Sequence, residues 1–224
     1  MLEDLFKVFT DYKDLVSKAF DNVTKMLELI KNMYDIAYQG YENNVIACEV
    51  QEKVREMDIR INKLHRKTRK MLLEHLLLSK GEDIIEGMKI STVLDNLERL
   101  GDYVKNLTEI SCLRKTRPIF GSKNAEFKEK YMLVGKMFDD LLDIYNNDKL
   151  SEAKVFIKKA SAFQTDCDDK IACLFEIEDK LVNKDIMAYV LFLRFIKRVV
   201  GHMLNVATSV SNPYHAIGYN PDDI

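Results

Sequence analysis

Glu98 and Asp102 are the residues of this chain whose type and spacing could do chemistry, because residues four apart share one face of an α-helix. Two carboxylates on one face can hold a hard cation or a guanidinium fork. Gly101 stands between them. A glycine inside a helix costs about 1 kcal/mol of propensity relative to alanine, so the pattern points to a cation or a second backbone passing close. A multinuclear metal cluster needs several such oxygens converging from facing helices to offset dehydration of the ions, and two carboxylates alone would bind weakly.

The other reactive residue types do not form a catalytic pattern. A carboxylate-bridged di-iron enzyme needs Glu-x-x-His on facing helices. The residues three before His65, His75, His202 and His215 are Asn62, Leu72, Val199 and Asn212. There is no glycine-rich phosphate loop and no paired His-Cys spacing, so the chain reads as a non-enzyme. His65 reads as a hydrogen-bonding surface residue. Cys48, Cys112, Cys167 and Cys173 form no Cys-x-x-Cys pair and read as reduced packing thiols of a cytosolic protein.

The elements that must position these residues are helices. Only 8 glycines and 3 prolines occur in 224 residues, and apolar residues recur at spacings of three and four over long segments, which makes the fold class all-α. A first helix is expected over 3–38, ended by Gly40, with Leu5, Phe9, Val16, Phe20, Val23, Leu27, Ile30 and Tyr34 buried. A second, over 44–79, carries the seam Val50, Val54, Met57, Ile61, Leu64 and is broken by Gly81. A third, over 83–113, repeats the device with Val93, Leu97, Leu100, Val104 and Leu107, before Pro118 and Gly121 mark a connection. Three more follow over 124–145, 150–182 and 185–210, the last with Asn183 as N-cap. Residues 212–224, with two prolines and a glycine, read as an irregular tail that either packs back on the core or extends to anchor a partner through Tyr214, Ile217 and Tyr219.

Composition narrows the function classes. Lys and Arg number 34 against 36 Asp and Glu, a net charge of -2 that argues against binding nucleic acid through phosphate attraction. The most apolar run, 188–196, is interrupted by Arg194 and falls far short of the ~20 residues of a membrane span, and no secretory signal is read at the start. Lys63, Arg66, Lys67, Arg69 and Lys70 form the densest basic cluster, read as a solvated face or a contact for an acidic partner or anionic headgroups.

An offset of 99 residues superposes Leu97 on Ile196, Arg99 on Arg198, Tyr103 on His202 and Asn106 on Asn205, which suggests an internal repeat. In the repeated copy Lys197 and Gly201 replace Glu98 and Asp102. The segment from Leu94 to Leu107 closely resembles the Leu-Glu-Arg-Ile-Gly-Asp signature of the PhoU family, including its following asparagine. The resemblance implies two tandem three-helix bundles related by the internal repeat, over 1–116 and 122–211, followed by the tail.

It also implies a cytoplasmic regulator and accessory of phosphate uptake and phosphate signalling. Such a protein acts by contact with a phosphate transporter component or a phosphate-sensing histidine kinase, reaches the membrane only through its partners, and has long helix faces suited to a homodimer. Two alternatives stay open, a divalent-metal-binding bundle for storage or sensing and a helical adaptor without a phosphate role.

Family members can hold iron or other divalent cations between acid-x-x-x-acid pairs on the second and third helices of each bundle. Carried over, the third-helix pair is Glu98 and Asp102, while the facing positions hold Gln51 and Arg55. In the second bundle Asp168 and Ala172 face Lys197 and Gly201, so one acidic pair of four is whole. A metal at the first repeat would therefore rest on Glu98 and Asp102, helped by Glu52, Glu56, Asp58 or Asp168. The cations instead point to ion pairs standing where a metal sits in metal-binding relatives, Arg55 with Glu98 or Asp102 and Lys197 with Asp168.

Overall fold

The computed structural model describes residues 2–42, 47–78, 83–113, 119–176 and 184–220, the side chains of 2–14, 42, 47, 48 and 78 excepted. These residues form six helices, α1 (Leu2–Glu42), α2 (Ala47–Leu78), α3 (Ile84–Leu113), α4 (Asn124–Asn146), α5 (Leu150–Phe175) and α6 (Lys184–Ser211), and no strand. The apolar seams fold as their spacing requires. Val23, Leu27, Ile30 and Tyr34 of α1, Val50, Val54, Met57 and Ile61 of α2, and the five apolar positions named for the third helix are all buried. Val16, Phe20 and Leu64 pack against the core from its edge. The expectations for Leu5, Phe9, Gly81, Pro118 and the Asn183 cap lie outside the described residues and side chains.

Helices α1, α2 and α3 pack on one another, as do α4, α5 and α6, and the two sets meet through α1 with α4 and α3 with α6. One continuous apolar cluster runs through both sets. The α1–α4 contact is reciprocal. Tyr34 Oη donates to the Tyr131 carbonyl at 2.8 Å, Tyr131 Oη donates to the Tyr34 carbonyl at 3.0 Å, and the rings stack with centroids 4.1 Å apart. The α3–α6 contact is reciprocal too. Asn96 meets His202 and Tyr103 meets Phe195, and a shift of 99 residues exchanges one pair for the other. Equivalent positions of two repeats meeting face to face is the signature of an approximate two-fold axis between them.

Gly40 does not end α1. It lies inside the helix and is buried against α2, where a Cβ would stand 3.0 Å from both Val50 Cγ1 and Cγ2, so close packing outweighs its poor propensity. Gly101 is the opposite case. A Cβ there would meet Ile61 Cδ1 at 3.6 Å, Ile30 Cγ1 at 3.8 Å and Met33 Cε at 3.8 Å, which is ordinary contact, and neither a cation nor a backbone needs the room. After α6 the chain turns back through a 3₁₀ turn, Tyr214–Ala216, tied down by Asn212 Nδ2 donating to the Ala216 and Tyr219 carbonyls, each at 3.0 Å. The amide of Gly218 donates to Thr208 Oγ1 at 2.8 Å, and Ala216 is buried.

The two glycines should answer the same substitution with opposite signs in chemical denaturation. Gly101→Ala is expected to stabilise the fold by about 0.5–1 kcal/mol through helix propensity. Gly40→Ala is expected to destabilise it by about 1 kcal/mol, because the stiff β-branched Val50 side chain has little freedom to give way.

Candidate functional site

Asp102 of the α3 acid pair is answered by a lysine from its own helix, and Glu98 is not. Lys105 Nζ donates to Asp102 Oδ1 at 2.6 Å and, across to α2, to Asp58 Oδ2 at 3.2 Å. Asp58 follows the buried Val54 by four residues and so stays on the flank of α2 that faces α3. Burial alone would lower the Lys105 ammonium, but its hydrogen bonds to Asp102 and Asp58 outweigh that and hold it above the ordinary lysine range.

The expected pairing of Arg55 with Glu98 or Asp102 does not form. Arg55 follows Val54 by one residue, about 100° round the helix, which carries its exposed side chain past the α3 flank into solvent. Glu98 is half-buried and makes no ion pair among the described residues. Glu52 and Glu56 are exposed, about 160° to 200° from Val54, so no shift of register brings them opposite Glu98 and Asp102.

The donor set does not fit a resident divalent cation. A hard metal ion needs oxygens with free lone pairs converging on one point. Here a fixed ammonium already occupies the space between Asp58 and Asp102. Among the described residues no group of three or more His, Cys, Asp or Glu side chains converges in a way that could hold a metal.

In the second set of helices the structure pairs Lys197 of α6 with Asp168 of α5. Its α4–α5 seam carries further ion pairs that the sequence reading missed. Lys130 is buried, pairs with Asp166 and lies 4.9 Å from the centroid of the Phe163 ring. Lys170 pairs with Glu126, and Asp166 lies 3.8 Å away. The signal was a lysine inside the apolar row Phe127, Lys130, Tyr131, Val134, where a charge must find a partner or stay out of the core.

Between the two sets, Asn96 Oδ1 accepts from Asn205 Nδ2 at 2.8 Å and from His202 Nδ1 at 2.9 Å, while its own amide donates to the Thr92 carbonyl at 2.9 Å. The accepting oxygen places the imidazole proton on Nδ1. The ring stacks on Tyr103, centroids 5.6 Å apart. Burial first, then the nearby Arg99 and Arg198 guanidiniums, push His202 down to about 4, so it is neutral in the fold at neutral pH. His65 Nε2 meets Asp95 Oδ1 at 3.1 Å across α2 and α3. Cys167 is buried and Cys173 exposed, neither in a disulfide, and burial pushes the Cys167 thiol up to about 11.

Three comparisons bear on this arrangement. Residues 23–111, from the second half of α1 through most of α3, match the family model of the PhoU domain. The fold is similar to the crystal structure of the phosphate transport system regulatory protein PhoU from Streptococcus pneumoniae, with a TM-score of 0.75, 15% identity, and coverage of 89% of this chain and 94% of that one. It is also similar to PhoU from Pseudomonas aeruginosa, with a TM-score of 0.65, 19% identity, and coverage of 90% and 94%. An uncharacterized protein of Methanocaldococcus jannaschii is 24% identical over 231 residues, spanning 98% of this chain and 74% of that relative.

Two measurements check the site. Removing the ammonium by Lys105→Met should leave Asp58 and Asp102 free to bind Mn²⁺ weakly, with a Kd of about 1 mM, whereas the natural chain should show no stoichiometric site by calorimetry. Equal titrations would contradict the assignment. His202 binds its proton near 6.5 when unfolded and near 4 when folded, so the unfolded state holds more protons between those values and stability falls as pH falls through that window. His202→Asn should lessen that loss by about 2 kcal/mol after allowance for solvent screening, read from melts at pH 7 and pH 4.

Proposed function

Starting from a chain that carries a PhoU domain over residues 23–111 and is a member of the PhoU family, we propose that it regulates phosphate uptake and phosphate signalling by protein contact. The observation that carries this reading is the architecture shared with the Streptococcus pneumoniae phosphate transport system regulatory protein over nearly the whole of both chains. The partner in this reading is a component of a phosphate transporter or a phosphate-sensing histidine kinase. The protein works in the cytoplasm and meets the membrane only through that partner. No helix among the described residues is long and apolar enough to cross a membrane.

The physical features that support a contact role are the helix faces themselves. Helices of 41, 32 and 30 residues in the first repeat present long outer flanks, and such faces suit docking or self-association better than they suit turnover of a small molecule. A homodimer formed through these faces belongs to the same reading. The metal-storage alternative asks for converging oxygen ligands, and at the first repeat Lys105 stands among them.

Deleting the gene should abolish the difference in phosphate uptake and reporter output between phosphate-rich and phosphate-starved cells, and the intact chain should restore it. Affinity capture under both conditions should recover a transporter or kinase subunit. Unchanged phosphate control on deletion, with other partners captured, would favour the adaptor without a phosphate role.

A further inference from the structure

The flank of α2 on the α3 side carries a stripe that neither the core nor the ion pairs use. Arg55, Ile59, Arg66, Arg69, Leu73 and Leu77 are all exposed and fall within about 80° of arc, along about 33 Å of helix axis. Ile59, Leu73 and Leu77 are 47%, 59% and 76% exposed, values that mark a face waiting to be covered. No acidic residue of α2 lies in that arc from Arg55 to Leu77, and Lys63 and Lys70 widen its outer edge.

The positive charge is poorly compensated. Arg55 and Arg66 make no ion pair among the described residues, Arg69 stands 3.6 Å from an Asp95 that also serves His65, and Lys70 stands 3.7 Å from Glu74. At its Leu77 end the stripe opens into a groove of about 560 Å³ between α2 and α3, walled by Leu72, Leu73, Leu76 and Met88, with Tyr214 at the rim. Gly87 allows the close approach that shapes this groove, since a Cβ there would stand 3.0 Å from Leu76 Cδ2.

We propose that this flank docks an acidic amphipathic helix of a partner protein, its apolar row on Ile59, Leu73 and Leu77 and its carboxylates along Arg55, Arg66 and Arg69. Apolar anchors at helical spacing beside a strip of one charge sign are how a groove selects a helix of the opposite sign. A partner helix of about six turns matches the length of the stripe. A membrane surface fits less well. The apolar end is a concave groove between α2 and α3, which a helix can fill and a planar lipid surface cannot. The proposal deepens the reading of a regulator that acts by contact, and it rests on that reading.

The probe is a fluorescent helix-forming peptide of about six turns with leucines on one face and glutamates on both flanks, beside a twin with lysines for glutamates. Each is titrated into the full chain by anisotropy, with vesicles of phosphatidylcholine and phosphatidylglycerol as a competitor. The acidic peptide should bind, more weakly as salt rises, and at least about fivefold more weakly to Arg66→Glu/Arg69→Glu and to Leu73→Ser/Leu77→Ser. Both pairs are exposed, and unchanged circular dichroism and melting should accompany the loss. The proposal is overturned if the acidic peptide does not bind, if the lysine twin binds equally, if neither variant changes the affinity or if vesicles displace the peptide. Self-association that Leu73→Ser/Leu77→Ser abolishes in sedimentation would also overturn it, since a second copy then covers the stripe. A chain that restores phosphate control in the deletion strain yet binds no acidic peptide loses this surface and keeps the regulator reading. A deletion without effect on phosphate control loses that reading, whatever the peptide does.

Discussion

The reciprocal contact of Tyr34 and Tyr131 is the constraint on which the rest of the structure depends. Each phenol is fully buried and each hydroxyl is satisfied by the other residue's backbone carbonyl, 97 residues away in the chain. Burial holds both hydroxyls well above the ordinary tyrosine range, so they remain neutral donors at any pH the fold survives. A pair of this kind closes only when α1 and α4 cross at one relative height, and that height also sets α3 against α6. There Asn96 meets His202 and Tyr103 meets Phe195, so both contacts between the repeats exchange equivalent positions. The two repeats behave as a dimer within one chain. Their inner helices carry the apolar cluster, and α2 and α5 are left with long outer flanks.

That division explains what became of the acid pair. Helix α2 is held against α3 by Val54, Met57 and Ile61, and one lysine then neutralises a carboxylate from each helix. The second repeat reaches a similar end by another route, because its lysine, Lys197, stands at the position equivalent to Glu98 and pairs with Asp168 of α5. Ion pairs of this exposure contribute little to stability, roughly 0–1 kcal/mol each. Their consequence is electrostatic, since Asp58, the α2 carboxylate that borders the basic stripe on the α3 side, is already neutralised by Lys105.

The architecture was legible because periodicity is a strong signal over helices of 23 to 41 residues. The seams of α2 and α3 sit where their spacing puts them, and the 99-residue offset predicted from Arg99, Tyr103 and Asn106 reappears as contacts across the repeat. Gly40 was misread because propensity marks a glycine as a stop, and only the tertiary approach of Val50 shows why it sits inside a helix. Arg55 was misplaced because alignment to an acidic position says nothing of the 100° that separates it from the buried seam. Asp58 and Asp166 were invisible as partners of Lys105 and Lys130 because a lysine four carbons long reaches across to another helix, although Asp102, three residues before Lys105, was within reach of spacing alone. Tyr131 gave no sign at all, since its partner is a carbonyl on the other repeat.

Native-state hydrogen exchange tests most directly whether the chain is one internally two-fold unit. The slowest amides of α1 and α3 around Tyr34 and Leu100, and those of α4 and α6 around Val134 and Met203, should share one opening free energy equal to that of global unfolding. They should lose it together in Tyr34→Phe. Protection of the second repeat that collapses at lower denaturant while the first stays closed would contradict the account, because each repeat would then hold its own core.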